Sequence, residues 1–256
     1  MKKILSLLLF TLFSLGVVNA QSSSNVRFGL SLNPSINWLS AQNKNKFETK
    51  GSTFGFGGGL NVEVKLSQTA SLTTGINFTT QGGNTQYTDS AFYQYENSEL
   101  QELDNPSSTD FTNILLERET KINYVNLPVG VKLKTPEFGL ITYYGEFGVN
   151  FSFRTNSTTT DKTIDLTSLE EKELSNIVNT DDTQLFNMGF NFGAGLEYNL
   201  AGSTSLFFTV KYNNNFINLN SNPSNFLYEK KDDGNFQSLK QTINNQSVIF
   251  AVGVFF

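Results

Sequence analysis

A chain with no histidine and no cysteine lacks most of the side chains that enzymes use for proton transfer and nucleophilic attack. There is no Ser-His or Cys-His pair, no imidazole or thiolate metal ligand, and no disulfide. Paired carboxylates are what remains for acid–base work. Glu170-Glu171 and Asp181-Asp182 are the candidates, and both lie in a long polar stretch where solvated charge explains them. No stretch has the D-x-D-x-D-G spacing of a calcium loop. We therefore assign no catalytic, cofactor or metal residue. The charges that call for explanation stand singly between apolar neighbours: Arg27, Glu63, Lys65, Lys132, Glu146, Arg154, Glu197 and Lys211. By phase they share the face opposite the apolar one. If that face is enclosed, they must pair or be hydrated, because an isolated buried charge carries a large desolvation penalty. Glu146 and Glu197, with Arg27 and Lys211 as partners, read as a plug of ion pairs.

The elements that position these charges are strands. From Thr242 the chain reads TINNQSVIFAVGVFF, with Val248, Phe250, Val252, Val254 and Phe256 on one face and small or polar residues on the other. Period-two alternation makes this a β-strand. Seven similar runs precede it, around Val26–Trp38, Phe54–Leu66, Leu72–Phe78, Val125–Leu133, Ile141–Phe153, Phe186–Tyr198 and Leu206–Tyr212. An even number of short amphipathic strands predicts an all-β fold, an eight-stranded antiparallel transmembrane β-barrel. The connections alternate. Ser67–Ala70, Thr135–Glu137 and Asn199–Gly202 read as tight periplasmic turns, while Leu39–Lys50, Gly82–Thr120, Thr155–Gln184 and Asn213–Gln241 read as long extracellular loops.

Alternation alone leaves the inside undetermined, and a soluble lipocalin-like barrel has the same period. The polar face here is Gly, Asn, Ser and Thr rather than Lys and Glu, and charged residues are only 16% of the chain against roughly 25% in soluble domains. The apolar face is rich in Phe, with Trp38, Tyr124, Tyr143, Tyr198 and Tyr212 near strand ends, where interfacial girdles sit. Both features put the apolar face in lipid. Inward glycines (Gly55, Gly57, Gly59, Gly189, Gly193, Gly195) either leave room for water or permit tight curvature. At Pro128, where the apolar phase moves from Ile122 and Tyr124 to Val125 onward, a bulge is expected.

Met1–Ala20 has the parts of a secretory signal: Lys2 and Lys3, an apolar core from Ile4 to Val18, and Val18-Asn19-Ala20. Cleavage is predicted after Ala20, leaving 21–256 as one outer-membrane barrel domain. Losing two lysines takes the formal charge from −5 to −7, and an acidic chain with no basic run excludes a nucleic-acid partner. Outer-membrane lipids and the barrel assembly machinery are the expected partners, with Val252, Val254 and Phe256 as the C-terminal assembly signal. The loops are acidic, and their aromatics (Tyr87, Phe92, Tyr93, Tyr95) either form a tip that docks an envelope or surface protein or pack onto the rim.

At Ile122–Lys134, INYVNLPVGVKLK, the chain resembles the outer membrane protein beta-barrel domain family common in the Bacteroidetes, which includes the PorT-like proteins. Tyr144-Gly145-Glu146-Phe147-Gly148-Val149, the stretch Asn191–Leu200 and the terminal Phe256 carry the likeness further. The resemblance implies an outer-membrane location and, for some members, service in type IX secretion and gliding. The expected role is structural or interactive, with a narrow, plugged lumen. The alternatives are a small pore for water or small solutes and a PorT-like secretion accessory.

Overall fold

The computed structural model describes residues 25–41, 47–221 and 226–256. The predicted leader and its cleavage point lie outside the described residues. Among the described residues, sixteen strands form one sheet: β1 (Val26–Leu32), β2 (Ser35–Ala41), β3 (Phe47–Thr49), β4 (Thr53–Gly55), β5 (Gly57–Lys65), β6 (Ala70–Tyr93), β7 (Tyr95–Glu96), β8 (Glu99–Leu100), β9 (Asn113–Lys134), β10 (Ile141–Asp165), β11 (Glu171–Val178), β12 (Phe186–Ala201), β13 (Thr204–Asn215), β14 (Tyr228–Lys230), β15 (Phe236–Ser238) and β16 (Ile243–Phe255).

Antiparallel pairing runs β1–β5–β6–β9–β10–β12–β13–β16 and then returns from β16 to β1. Eight segments thus form a closed ring, and closure removes the unpaired backbone edge that a lipid solvent would not tolerate. β1 and β2 are one strand interrupted at Asn33-Pro34, since Leu32 pairs with Val252 and Ser35 with Ile249 in a single register. At the C-terminus the backbones of Phe28 and Phe256 bond reciprocally, at 3.3 and 2.9 Å, which stitches the seam.

Around the turn-proximal half of the ring the large apolar side chains point outward and are exposed. Phe28, Leu30, Phe54, Phe78, Val129, Phe147, Phe192, Phe208 and Val252 are among them. Buried on the inside are Ser31, Asn37, Asn126, Asn150, Ser152, Asn213 and Ser247. This is the reverse of a soluble barrel, and so continuous an apolar belt requires lipid around it.

Further along, the same strands exchange faces. In β9 the residues Lys132, Asn126, Tyr124, Ile122 and Thr120 are all buried on the inner side. The expected bulge at Pro128 is absent, because β9 pairs with β10 in unbroken register from Lys134↔Tyr144 through Pro128↔Asn150 to Tyr124↔Arg154. The apolar phase moves at Tyr124–Val125 because the apolar side changes from inner to outer, not because the backbone slips. The bulge lies in the partner strand, between Arg154 and Asn156. Tyr124 is consequently a fully buried inward residue, not a member of the outer girdle; Tyr143 and Tyr198 are exposed on that girdle.

Nor are the long connections structureless. β6, β9 and β10 run for 24, 22 and 25 residues, whereas about 9–11 tilted residues cross a bilayer. The stretch expected as the loop Gly82–Thr120 is largely strand, as is the start of Thr155–Gln184, and both stand beyond the belt as a tall sheet. Leu115, Ile122, Tyr87, Tyr93 and Ile177 pack on its inner side. The connection after β13 folds in to add Leu219, Leu227 and Leu239. Strands this long are stable because this second part buries an apolar core as a soluble domain does.

Candidate functional site

The lumen is filled in three layers. At the turn end, five charges from four strands converge. The Arg27 guanidinium (β1) donates to Glu63 (β5) at 2.9 Å and to Glu197 (β12) at 2.8 Å. The Lys132 ammonium (β9) reaches the same two carboxylates at 3.1 and 3.2 Å, and that of Lys134 reaches them at 2.5 and 3.1 Å. Three cations thus share two carboxylates, both of which are 3% exposed. Shared partners are how buried charges avoid an uncompensated desolvation cost. Rings cover two of the three cations. Lys132 lies 4.3 Å from the Tyr144 centroid and 4.7 Å from Phe255, and Arg27 lies 4.7 Å from Phe255.

Those rings, together with cross-strand carbonyls, crowd the nearby glycines. A Cβ on Gly29 would lie 2.7 Å from Phe255, one on Gly195 2.7 Å from the Tyr144 ring, and one on Gly253 2.5 Å from Phe207. Across β9 and β10, a Cβ on Gly148 would meet the Gly130 Cα at 2.6 Å. The inward glycines are seats for aromatic side chains and for closely approaching backbone, not open space.

Above the cluster, the Lys211 ammonium (β13) pairs with Glu146 (β10) at 2.6 Å. Lys211 lines two small cavities, of about 40 and 70 Å³, each room for a few waters at most. The middle layer is uncharged. Asn126 donates to Thr79 at 2.7 Å, Ser152 donates to Asn126 at 2.6 Å, and Asn215 and Asn245 both donate to Gln81, at 3.3 and 3.1 Å. The top layer is the apolar core of the tall sheet. Inside it, Arg118 and Asp161 form a two-pronged ion pair at 2.8 and 2.7 Å. Burial works against the Arg118 charge, but Asp161 more than offsets this and holds the guanidinium above its usual range.

The residues singled out from sequence are distributed unevenly over these layers. Arg27, Glu63, Lys132 and Glu197 are in the turn-end cluster, and Glu146 with Lys211 form the separate pair above it. Lys65 is exposed at the end of β5, outside the cluster. Arg154 is half-buried at the β10 bulge, where its Nε has no hydrogen-bond partner, and among the described residues it makes no ion pair. Sequence reasoning missed Lys134, whose inward phase matches that of Lys132 two residues before it. It also missed Arg118–Asp161, hidden because the strands were read as loops. Val252, Val254 and Phe256 all face outward beside the seam. The carboxylate pairs do not form a site. Glu170 and Glu171 are exposed, as is Asp181, whereas Asp182 is buried with Ser221.

A closed antiparallel ring, apolar outside and polar inside, defines a β-barrel of the outer-membrane type. The chain belongs to the outer membrane protein beta-barrel domain family, whose model matches residues 19–221. Among solved structures it is similar to the outer membrane protein OprG from Pseudomonas aeruginosa, with 10% identity, 91% of this chain and 96% of that one covered, and a TM-score of 0.43. It is also similar to Neisserial surface protein A, at 12% identity, 90% and 97% coverage and 0.40. The attachment invasion locus protein Ail of Yersinia pestis gives 11% identity, 90% and 98% coverage and 0.35. No curated protein sequence matches the chain.

Proposed function

We propose that this chain is an eight-stranded transmembrane barrel that conducts nothing, catalyses nothing, and serves to hold a structured β-sheet extension at the cell surface. The observation that carries the reading is closure of the lumen at both ends by different means. Ion pairs and rings close the turn end, an apolar core closes the loop end, and the cavities between them hold only a few waters. With Asn25, the first described residue, and Phe256 both at the turn end, that end is periplasmic and the tall sheet extracellular. The outward Val252, Val254 and Phe256 serve as the signal read by the assembly machinery. The extension is the surface offered to envelope or external partners, and Tyr87 and Tyr93 stabilise it from inside. The single-channel test is refolded protein in a planar bilayer, alongside Glu146→Ala. Silence from both, with heat-modifiable gel mobility showing that they folded, is expected. A steady conductance that changes in Glu146→Ala would replace this reading with a pore lined by Glu146.

A further inference from the structure

The outward face of β6, β9 and β10 changes character over a few residues. Phe78, Val125 and Phe153 form its last apolar row, aligned by register. Next come Thr80, Asn123 and Asn156, and then Lys121 beside Thr158. Lys121 is about four residues beyond Val125, or roughly 13 Å along the strand. Higher still, two adjoining hollows of about 570 and 420 Å³ share Gln86, Glu117, Lys162 and Glu173 as walls. Cations and carboxylates alternate across this face. The Lys121 ammonium pairs with Glu119 at 3.0 Å, that of Lys162 with Glu117 at 3.1 Å, and that of Lys50 donates to Gln86 at 3.1 Å. The three ammonium groups are more than half exposed, so their present partners can be exchanged.

We propose that this face binds one phosphorylated glycolipid of the outer leaflet. Acyl chains would lie against Phe78, Val125 and Phe153, a phosphate on the acylated inner sugar would meet Lys121, and the outer sugars of the headgroup would reach the hollows at Gln86, Glu117 and Lys162, about as far again beyond Lys121 as Lys121 is beyond Val125. The same three strands carry the lipid belt below and the polar groove above, so an amphiphile standing in the outer leaflet meets both without leaving the wall. Alternating charge disfavours a simple anionic headgroup, which would meet Glu117 and Glu119 along with the lysines. It favours a headgroup that offers hydroxyls as well as phosphate.

The inference rests on the transmembrane reading above, and the test separates the two. The protein is assembled in phosphatidylcholine nanodiscs carrying either a bisphosphorylated glucosamine-based glycolipid that bears its core oligosaccharide or phosphatidylglycerol, and retained lipids are counted by native mass spectrometry. One retained glycolipid is expected, with little phosphatidylglycerol. Lys121→Gln with Lys162→Gln should lower its occupancy about tenfold, whereas Lys231→Gln should leave it unchanged. In the wild type, a photoactivatable glycolipid should label β9 between Glu117 and Val125, a readout that needs no variant to fold. Equal retention of both lipids, equal retention by the double variant, or labelling spread evenly round the belt would overturn the proposal and leave the barrel standing. Failure to enter nanodiscs at all would overturn both.

Discussion

Arg118 and Asp161 face each other directly across the β9–β10 ladder, and they sit in a window of that ladder offset by one residue from the register on either side. The pair is buried in the apolar core of the extension, under the ring of Tyr93. Removing one partner strands a buried charge. Asp161→Asn should destabilise the extension by about 3–5 kcal/mol, and Arg118→Met with Asp161→Leu should recover most of that. Hydrogen exchange of the β9 and β10 amides beyond Asn123 is the measurement, and the membrane part should stay protected in both variants.

The turn-end cluster has the opposite weakness, too few carboxylates. Glu197→Gln would leave Arg27, Lys132 and Lys134 around Glu63 alone, and a loss of about 3–5 kcal/mol is expected. Lys134→Gln removes the surplus cation and should be much milder. The temperature at which the folded gel band disappears orders the variants; equal effects would show that charge balance does not hold the cluster together.

Gly253 is crowded by both the Leu30 carbonyl oxygen and the Phe207 ring, which a Cβ there would meet at 2.1 and 2.5 Å. Gly253→Val should cost about 1–3 kcal/mol through overpacking, and Phe207→Ala in the same chain should relieve part of it. If the glycine merely left room for water, valine would be tolerated and the second change would bring no relief.

At the tip of the β10–β11 hairpin, Lys172 donates to Asp165 at 2.6 Å, and the backbone amides of Thr167 and Ser168 donate to the same carboxylate. These bonds, that of Lys172 foremost, hold its pKa down to about 2 from the ordinary 3.8. A depressed carboxylate contributes order that is fully present above 3.8 and lost as pH falls through about 2. The tip should therefore keep its amide shifts at pH 5 and lose them between about pH 4 and 2. Asp165→Asn should abolish that transition.

Much of the ring was legible because alternation in Phe186–Tyr198 or Val248–Phe256 needs only period two and a lipid to face. The interior of the lumen was legible in part, since phase alone turns Arg27, Glu63 and Glu197 inward. The extension was not. Thr120, Ile122 and Tyr124 obey the same period with the opposite sense, Leu115 is brought to the same side only by the register shift at Leu116, and no local feature tells whether lipid or water lies outside. Lys134 escaped notice because the alternating run ends on its last apolar residue, Leu133, one short of it. The glycines could not be interpreted without the rings that rest on them, which come from distant strands.

The exchange of faces at Tyr124–Val125 has a bearing on alignment. In an ordinary amphipathic sheet, a slip of two residues is nearly invisible, because every side chain keeps its face. Here each tall strand carries a landmark at one fixed height. A two-residue slip of β9 against β6 would carry Asn123 down beside Phe78 or lift Val125 beside Thr80, exposing polar groups to lipid or apolar ones to water. The wall therefore penalises the error that alternation overlooks, and the same landmark sets how deep the whole molecule sits in the bilayer.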